Sequence, residues 1–319
     1  MLNELEKIRY KRHFLLEGWD EEKQEKIKNT TVFVAGAGGT GSPTITMLAL
    51  LGVGRIRICD FDVFEESNKN RQFIHSVSGD NVRLGMNKAE SAALTVHNIN
   101  PNVKVEYFEE KFDELNVDEI VGDAQMIFDC VDRFKYKFIL SDCAVRKNIP
   151  MLFYGIMDYN IFGYIFNPPE TACFHCLFDE RKINLIERAG CRKADVAVMS
   201  PTLFASAGIM MSEAVKLMIG YEKPSYNTFF FGFGKREKIS EEKGTRAFRF
   251  WNTPYFNELS KKQGLDLKRQ DQVDLFKTIY VPRNCSCPYC GGKSQSINDG
   301  QKKLIKKLKK AVDKTKMQW

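Results

Sequence analysis

The chain has 319 residues, 43% of them hydrophobic and 12% aromatic, with 48 Lys and Arg against 41 Asp and Glu. This composition excludes a generally disordered chain and allows a large core, in one extended domain or a domain with a sizeable subdomain. The net charge of +7 is a tail property, because nine Lys and two Asp between Lys293 and Trp319 account for it.

Residues 1–30 read as two charged amphipathic helices, 3–13 and 20–28, leading into a strand at Val32-Phe33-Val34-Ala35. Gly36-Ala37-Gly38-Gly39-Thr40-Gly41 follows as a glycine turn opening a helix, and Arg55 to Cys59 forms a second strand that ends at Asp60, 24 residues after Gly36. Such a turn brings backbone amides to phosphates at a helix N-terminus, and the acid suits ribose hydroxyls. The pattern indicates an adenine nucleotide without saying which.

After Asp62 a polar loop, Glu65 to Gln72, lies on the side where parallel strands end and ligands bind. A helix over 87–98 stopped by Pro101, strands at 103–108 and 124–130, a helix at 135–147 and a strand at 151–155 follow. The alternation predicts an α/β fold, a Rossmann-like, mostly parallel sheet with helices on both faces. An antiparallel region begins at Gly163 to Phe166, and Pro201 to Ile219 reads as a long apolar helix ended by Gly220. We expect four regions: N-terminal helices at 1–30, a nucleotide-binding domain at 31–220, an antiparallel or irregular insertion at 221–292, and a Lys-rich tail at 293–319 that suits a short amphipathic helix. The start of the chain has no apolar core of signal-peptide length, and no stretch reaches the roughly 18 to 20 apolar residues that span a bilayer. Cytoplasm, with no transmembrane segment, is the expectation.

Nine cysteines, partly in close pairs, fit a reducing compartment and metal ligation better than a disulfide framework. Cys173 and Cys176 form one hook, and Cys287 and Cys290 another about 110 residues later; four thiolates match a tetrahedral structural zinc and leave no open position for catalysis. An iron–sulfur centre or simple buried cysteines are the alternatives, and Cys285 and His175 are further candidate ligands. Cys59, Cys130 and Cys143 read as small core residues.

Arg71, Lys88 and Asp132 decide between a dinucleotide and ATP. Attack of a carboxylate on an α-phosphate builds charge on phosphoryl oxygens, which fixed cations stabilise and an acid can complement by holding a divalent cation. Hydride transfer needs no such ring. Arg9-Tyr10-Lys11-Arg12, the glycine loop, Asp60-Phe61-Asp62, Ser67-Asn68-Lys69-Asn70-Arg71-Gln72, Lys88, Asp132 and the cysteine hooks together resemble the E1-like activating superfamily, in its ThiF and MoeB branch. They are also similar to the activating enzyme of the ubiquitin-fold modifier. The resemblance covers about residues 9–220 and returns at 287–290.

That resemblance implies ATP and magnesium as cofactors beside the zinc. Gly36, Gly38, Gly39 and Gly41 would lie at the phosphates, Asp60 and Asp62 at the ribose end, and Ser67, Asn68, Asn70, Arg71 and Lys88 around the triphosphate. Asp132, beside Arg133, would place magnesium. Arg12 would reach the active site of the other subunit of a homodimer, making residues 1–30 a dimer arm. Thr40 departs from the larger apolar residues common in this loop, and the segment His75 to Asn87 is longer than expected. Cys191, in the crossover near 180–200 and followed by Arg192 and Lys193, is either a covalent nucleophile or an ordinary loop thiol.

The expected function is ATP-dependent adenylation of a carboxylate, the C-terminus of a ubiquitin-like sulfur carrier or a peptide, with release of pyrophosphate. Arg12, Asn70, Arg71, Lys88 and Asp132 would carry the step. The alternatives are activation of a small-molecule carboxylate, a tRNA-modifying dehydratase with the Lys-rich tail on RNA, a non-catalytic binding scaffold, or a dehydrogenase. Without an appended rhodanese-like domain, any sulfur would come from a separate donor.

Overall fold

The computed structural model describes residues 1–76, 83–157, 160–178, 198–220, 228–232, 276–279, 287 and 289–290. Helix α1 (Glu4–Tyr10) opens with a capping box between Asn3 and Glu6, and α2 (Glu21–Lys28) is capped by the Asp20 carboxylate on the Lys23 amide. Then come β1 (Thr31–Ala35), α3 (Gly41–Leu51), β2 (Arg55–Cys59), α4 (Lys88–Ile99), β3 (Lys104–Phe108), the short α5 (Val117–Val121), β4 (Met126–Asp129), α6 (Phe134–Lys147) and β5 (Met151–Met157). The remaining elements are β6 (Asn160–Phe166), α7 (Phe174–Leu177), α8 (Ser200–Ile219), β7 (Thr228–Gly232) and β8 (Phe276–Ile279).

The strands form one eight-stranded sheet in the order β3-β2-β1-β4-β5-β6-β7-β8. Its first five strands are parallel, and β6, β7 and β8 add antiparallel. This is the Rossmann-like, mostly parallel architecture the sequence implies. β7 and β8, from the region with the least periodic sequence, continue the main sheet; 233–275 lie outside the described residues.

Alternation along β1 sorts its side chains between two cores. Phe33 and Ala35 join Ile120, Phe138, Cys143 and the cysteine hooks on one face, while Val32 and Val34 join Ile45, Leu48, Ala92 and Val96 on the other. A central strand covered on both faces must be apolar throughout, and each fully buried Val or Phe contributes about 1.5–3 kcal/mol.

Helix α8 corrects one expectation. By length and composition it is apolar enough to cross a membrane, yet half of its most apolar window is buried within the protein. Ala207, Met210, Met211 and Ala214 pack into the second core, and the polar Thr202, Ser206 and Glu213 are buried with them. It is a core helix over β5 and β6 whose other neighbours are α2 and α3.

Candidate active site

The glycine loop sits where β1 and β4, neighbours in the sheet, open toward their C-terminal ends, the usual ligand crevice of such sheets. Gly36 has φ +92, and a Cβ there would come within 2.9 Å of the Cys130 carbonyl oxygen. At Gly41 a Cβ would stand 2.1 Å from the Gly36 carbonyl oxygen, so only glycine closes the turn.

Backbone and side-chain groups of the neighbouring strands fix the loop. The Gly36 amide donates to Cys59 O at 2.8 Å, and the Ala37 amide to the Asp60 carboxylate at 2.8 Å. Thr40 donates its hydroxyl to Cys130 O at 3.0 Å, while its own carbonyl accepts from the Tyr154 hydroxyl at 2.6 Å. Thr40 is therefore the pin between the loop and β4, a use that a larger apolar residue would not supply. Gly38 and Gly39 amides make no hydrogen bond among the described residues. They are the donors a phosphate would take.

Asp60 accepts from Ala37 on one oxygen and from the Asp62 amide at 2.9 Å on the other. Burial raises its pKa against the lowering effect of these bonds and of Lys88. Lys88 is the first residue of α4 and is buried, with its ammonium 3.5 Å from an Asp62 oxygen. A cation in the first turn opposes the helix dipole, so its position must answer to something other than helix stability. The chain brings it there by zipping Asp62–Phe64 against Gly85–Lys88: Lys88 N to Asp62 O is 2.9 Å, Phe64 N to Met86 O 2.9 Å, and Gly85 N to Phe64 O 2.8 Å.

Arg71 lies over the glycine loop, since a Cβ built at Gly39 would be 3.6 Å from its Cδ. The guanidinium donates to Ser67 O at 3.0 Å and to Asn70 Oδ1 at 2.9 Å. Asn68 is buried and committed to its own turn, accepting from the Glu65 amide at 3.2 Å and donating to the Ser67 hydroxyl at 3.3 Å. Asp132 and Arg133 are exposed in the short link between β4 and α6. Asp132 follows the C-terminal end of β4 as Asp60 and Asp62 follow that of β2, and the two strands run parallel on either side of β1, so the acids lie at the same end of the sheet.

Not every expected residue converges. Arg12 is exposed in the turn after α1. Cys191 and Cys285 lie outside the described residues, as do the Lys-rich tail and 77–82 of the segment before Lys88. Two residues with clear structural parts were missed from sequence. The buried His75 contacts the Ala37 carbonyl, and Lys137 forms a buried ion pair with Asp129 at the end of β4. A cation eight residues after an acid that ends a strand was the signal for the second.

The cysteine hooks meet. The Sγ atoms of Cys173, Cys176, Cys287 and Cys290 lie within 4.8 Å of one another, with 3.7 Å between Cys173 and Cys176, 3.7 Å between Cys173 and Cys287, and 3.6 Å between Cys176 and Cys290. A tetrahedron with metal–sulfur bonds of about 2.3 Å has edges of about 3.8 Å, so the four thiols form a candidate metal site. His175 is not a fifth member: its Nε2 is 2.8 Å from Asp142 Oδ1 and its ring stacks on Tyr289 with centroids 3.4 Å apart. That stack joins the two hooks a second time. Burial pushes the Cys59 and Cys130 thiols up to about 12, so they stay protonated and unreactive.

Fold and site define a nucleotide-binding α/β protein with a phosphate loop, a ring of fixed charge and a thiol clasp. The family model described as ThiF family matches residues 10–245. The chain belongs to that family, within the E1-like superfamily of adenylyltransferases. It is 38% identical over 173 residues to the SAMP-activating enzyme E1 of Haloferax volcanii, a match covering 54% of this chain and 62% of that enzyme. With the sulfur carrier protein ThiS adenylyltransferase of Bacillus subtilis it shares 31% identity over 232 residues, covering 72% of this chain and 67% of the other. The fold is similar to that of Escherichia coli MccB crystallised with ATP, at a TM-score of 0.68 and 21% identity, over 91% of this chain and 75% of MccB.

Proposed function

We propose that this chain adenylates the C-terminal carboxylate of a ubiquitin-like sulfur carrier. A carboxylate oxygen bonds to the α-phosphorus of ATP as the bond to the leaving phosphate oxygen breaks, giving acyl-adenylate and pyrophosphate. No general base is needed, since a terminal carboxylate is ionised at neutral pH. The observation that carries the reading is that the glycine loop, Asp60, Arg71 and Lys88 gather at the C-terminal end of the parallel strands, the end at which Asp132 follows β4.

In this reading the Gly38 and Gly39 amides take phosphate oxygens and Asp60 the ribose, beside Asp62. Arg71 and Lys88 stabilise charge as it develops on the phosphoryl group, with Asn70 orienting the Arg71 guanidinium and Ser67 and Asn68 building the turn beneath them. Asp132, next to Arg133, would hold magnesium, which would supply positive charge against the phosphates. Zinc suits the four thiols as a structural clasp, far from the chemistry in role. Arg12, exposed in the turn after α1, would complete the site of a second copy in a homodimer. Cys191 would act covalently only if the carrier passes to a thiol. The reduced, buried Cys59, Cys130 and Cys143 fit the cytoplasm.

A second reading, a peptide as the carboxylate donor, is supported by the fold likeness to MccB, which takes in 89% of this chain, since MccB has been crystallised with N-formylated MccA. Exchange of labelled pyrophosphate into ATP separates the two when carriers, peptides and small carboxylates are supplied one class at a time. Carrier-dependent exchange supports the first reading and peptide-dependent exchange the second; exchange with small carboxylates alone would overturn both.

A further inference from the structure

We propose that His75 is a positioning residue of the nucleotide site, holding the Ala37 peptide of the glycine loop where phosphates and ribose need it; this rests on the adenylation reading above. Ala37 is gripped from both sides. Its amide donates to the Asp60 carboxylate at 2.8 Å, and its carbonyl lies 2.8 Å from His75 Nε2. A carbonyl oxygen only accepts, so Nε2 carries the proton. Nδ1, 3.0 Å from the Ser91 hydroxyl, then accepts.

This tautomer is the neutral ring, and the surroundings keep it so. His75 is fully buried, its ring lies 5.1 Å from that of Phe64, and the cations facing it are Lys88 and Arg83. Desolvation first, and those cations after it, push its pKa down to about 4 despite the bond to Ala37. Arg83 also donates to Ser91 O at 2.5 Å, so the acceptor side of the imidazole is itself anchored on α4.

The consequence reaches the ligand through the backbone. Asp60 spends one oxygen on Ala37, so the acid and the loop move as one unit. Without the bond from His75, the Ala37 carbonyl is free to rotate. That rotation displaces the amide on Asp60 and the Gly38 and Gly39 amides beyond it.

The test is calorimetric titration of ATP with magnesium into wild type, H75Q, H75N and H75F, with melting temperatures and pyrophosphate exchange alongside. Gln places a donor near the Nε2 position, whereas Asn reaches only to Nδ1 and Phe has none. The expected result is Kd raised about tenfold in H75N and H75F and within about twofold of wild type in H75Q, the worth of one lost hydrogen bond. kcat at saturating ATP stays near wild type while KM for ATP rises. If H75F does not fold, H75N and H75Q carry the comparison. Wild-type affinity in H75N, or equal weakening in H75Q and H75N, would overturn the positioning role; wild type that binds no ATP would instead overturn the adenylation reading beneath it.

Discussion

The Lys137 ammonium lies 3.1 and 3.3 Å from the two oxygens of Asp129 and 2.6 Å from the Val131 carbonyl, with both side chains buried. Asp129 ends β4 and Lys137 sits one turn into α6, so the pair spans the link that carries Asp132. The Lys137 ammonium also stands 4.2 Å over the Phe153 ring, which adds cation–π attraction in a desolvated place. Burial raises the pKa of Asp129 and Lys137 opposes that rise.

Removing one member strands a buried charge. K137M should lower unfolding free energy by about 3–5 kcal/mol, and pairing it with D129N should restore part of the loss. Urea denaturation of the single and double variants measures this, and additive losses would show that the pair is not coupled.

His75 predicts a pH signature. Its folded-state pKa of about 4 lies below the ordinary 6.5, so between those values the unfolded chain binds the extra proton. Its stability contribution is whole above 6.5 and is lost as pH falls toward 4. From pH 7 to pH 5 wild type should lose about 2 kcal/mol more than H75Q, measured as the difference between their denaturation curves.

The glycine loop separates folding from binding. G41A meets backbone at 2.1 Å and should unfold the turn. At Gly39 the neighbour is the flexible end of Leu203, 3.3 Å from the added Cβ, so G39A should melt near wild type while losing ATP affinity about tenfold or more. Thermal melts and ATP titrations on the same samples check both.

For the clasp, purified protein should carry about one zinc per chain, and C176S or C290S should lose it and melt lower. Elemental analysis beside thermal melts decides; a fully stable, zinc-free wild type would exclude a structural metal.

The glycine loop, Asp60 and the hooks were legible because each is a short pattern whose chemistry is local. His75 was not, since its partner Ala37 is 38 residues away and a lone histidine gives no periodic signal. The sequence pattern carries β4 to Cys130, but the strand stops at Asp129, where Lys137 draws the carboxylate into the core. α5 escaped notice at five residues, and the β8 segment showed no pattern of its own because its pairing is with a strand some fifty residues earlier. α8 matched in extent but exceeded the apolar length expected, because it is covered on the sheet side and its buried Thr202 and Ser206 hydroxyls donate back to backbone carbonyls at its own N-cap and first turn.

In the proposed mechanism, fixed charge around the phosphates drives carboxylate adenylation. Pyrophosphate exchange by R71A and D132A, with the carrier or peptide that supports exchange in wild type, tests it most directly. The expected result is a fall of about 10²–10³ in exchange rate with melting temperatures unchanged. Wild-type exchange in both variants would contradict it.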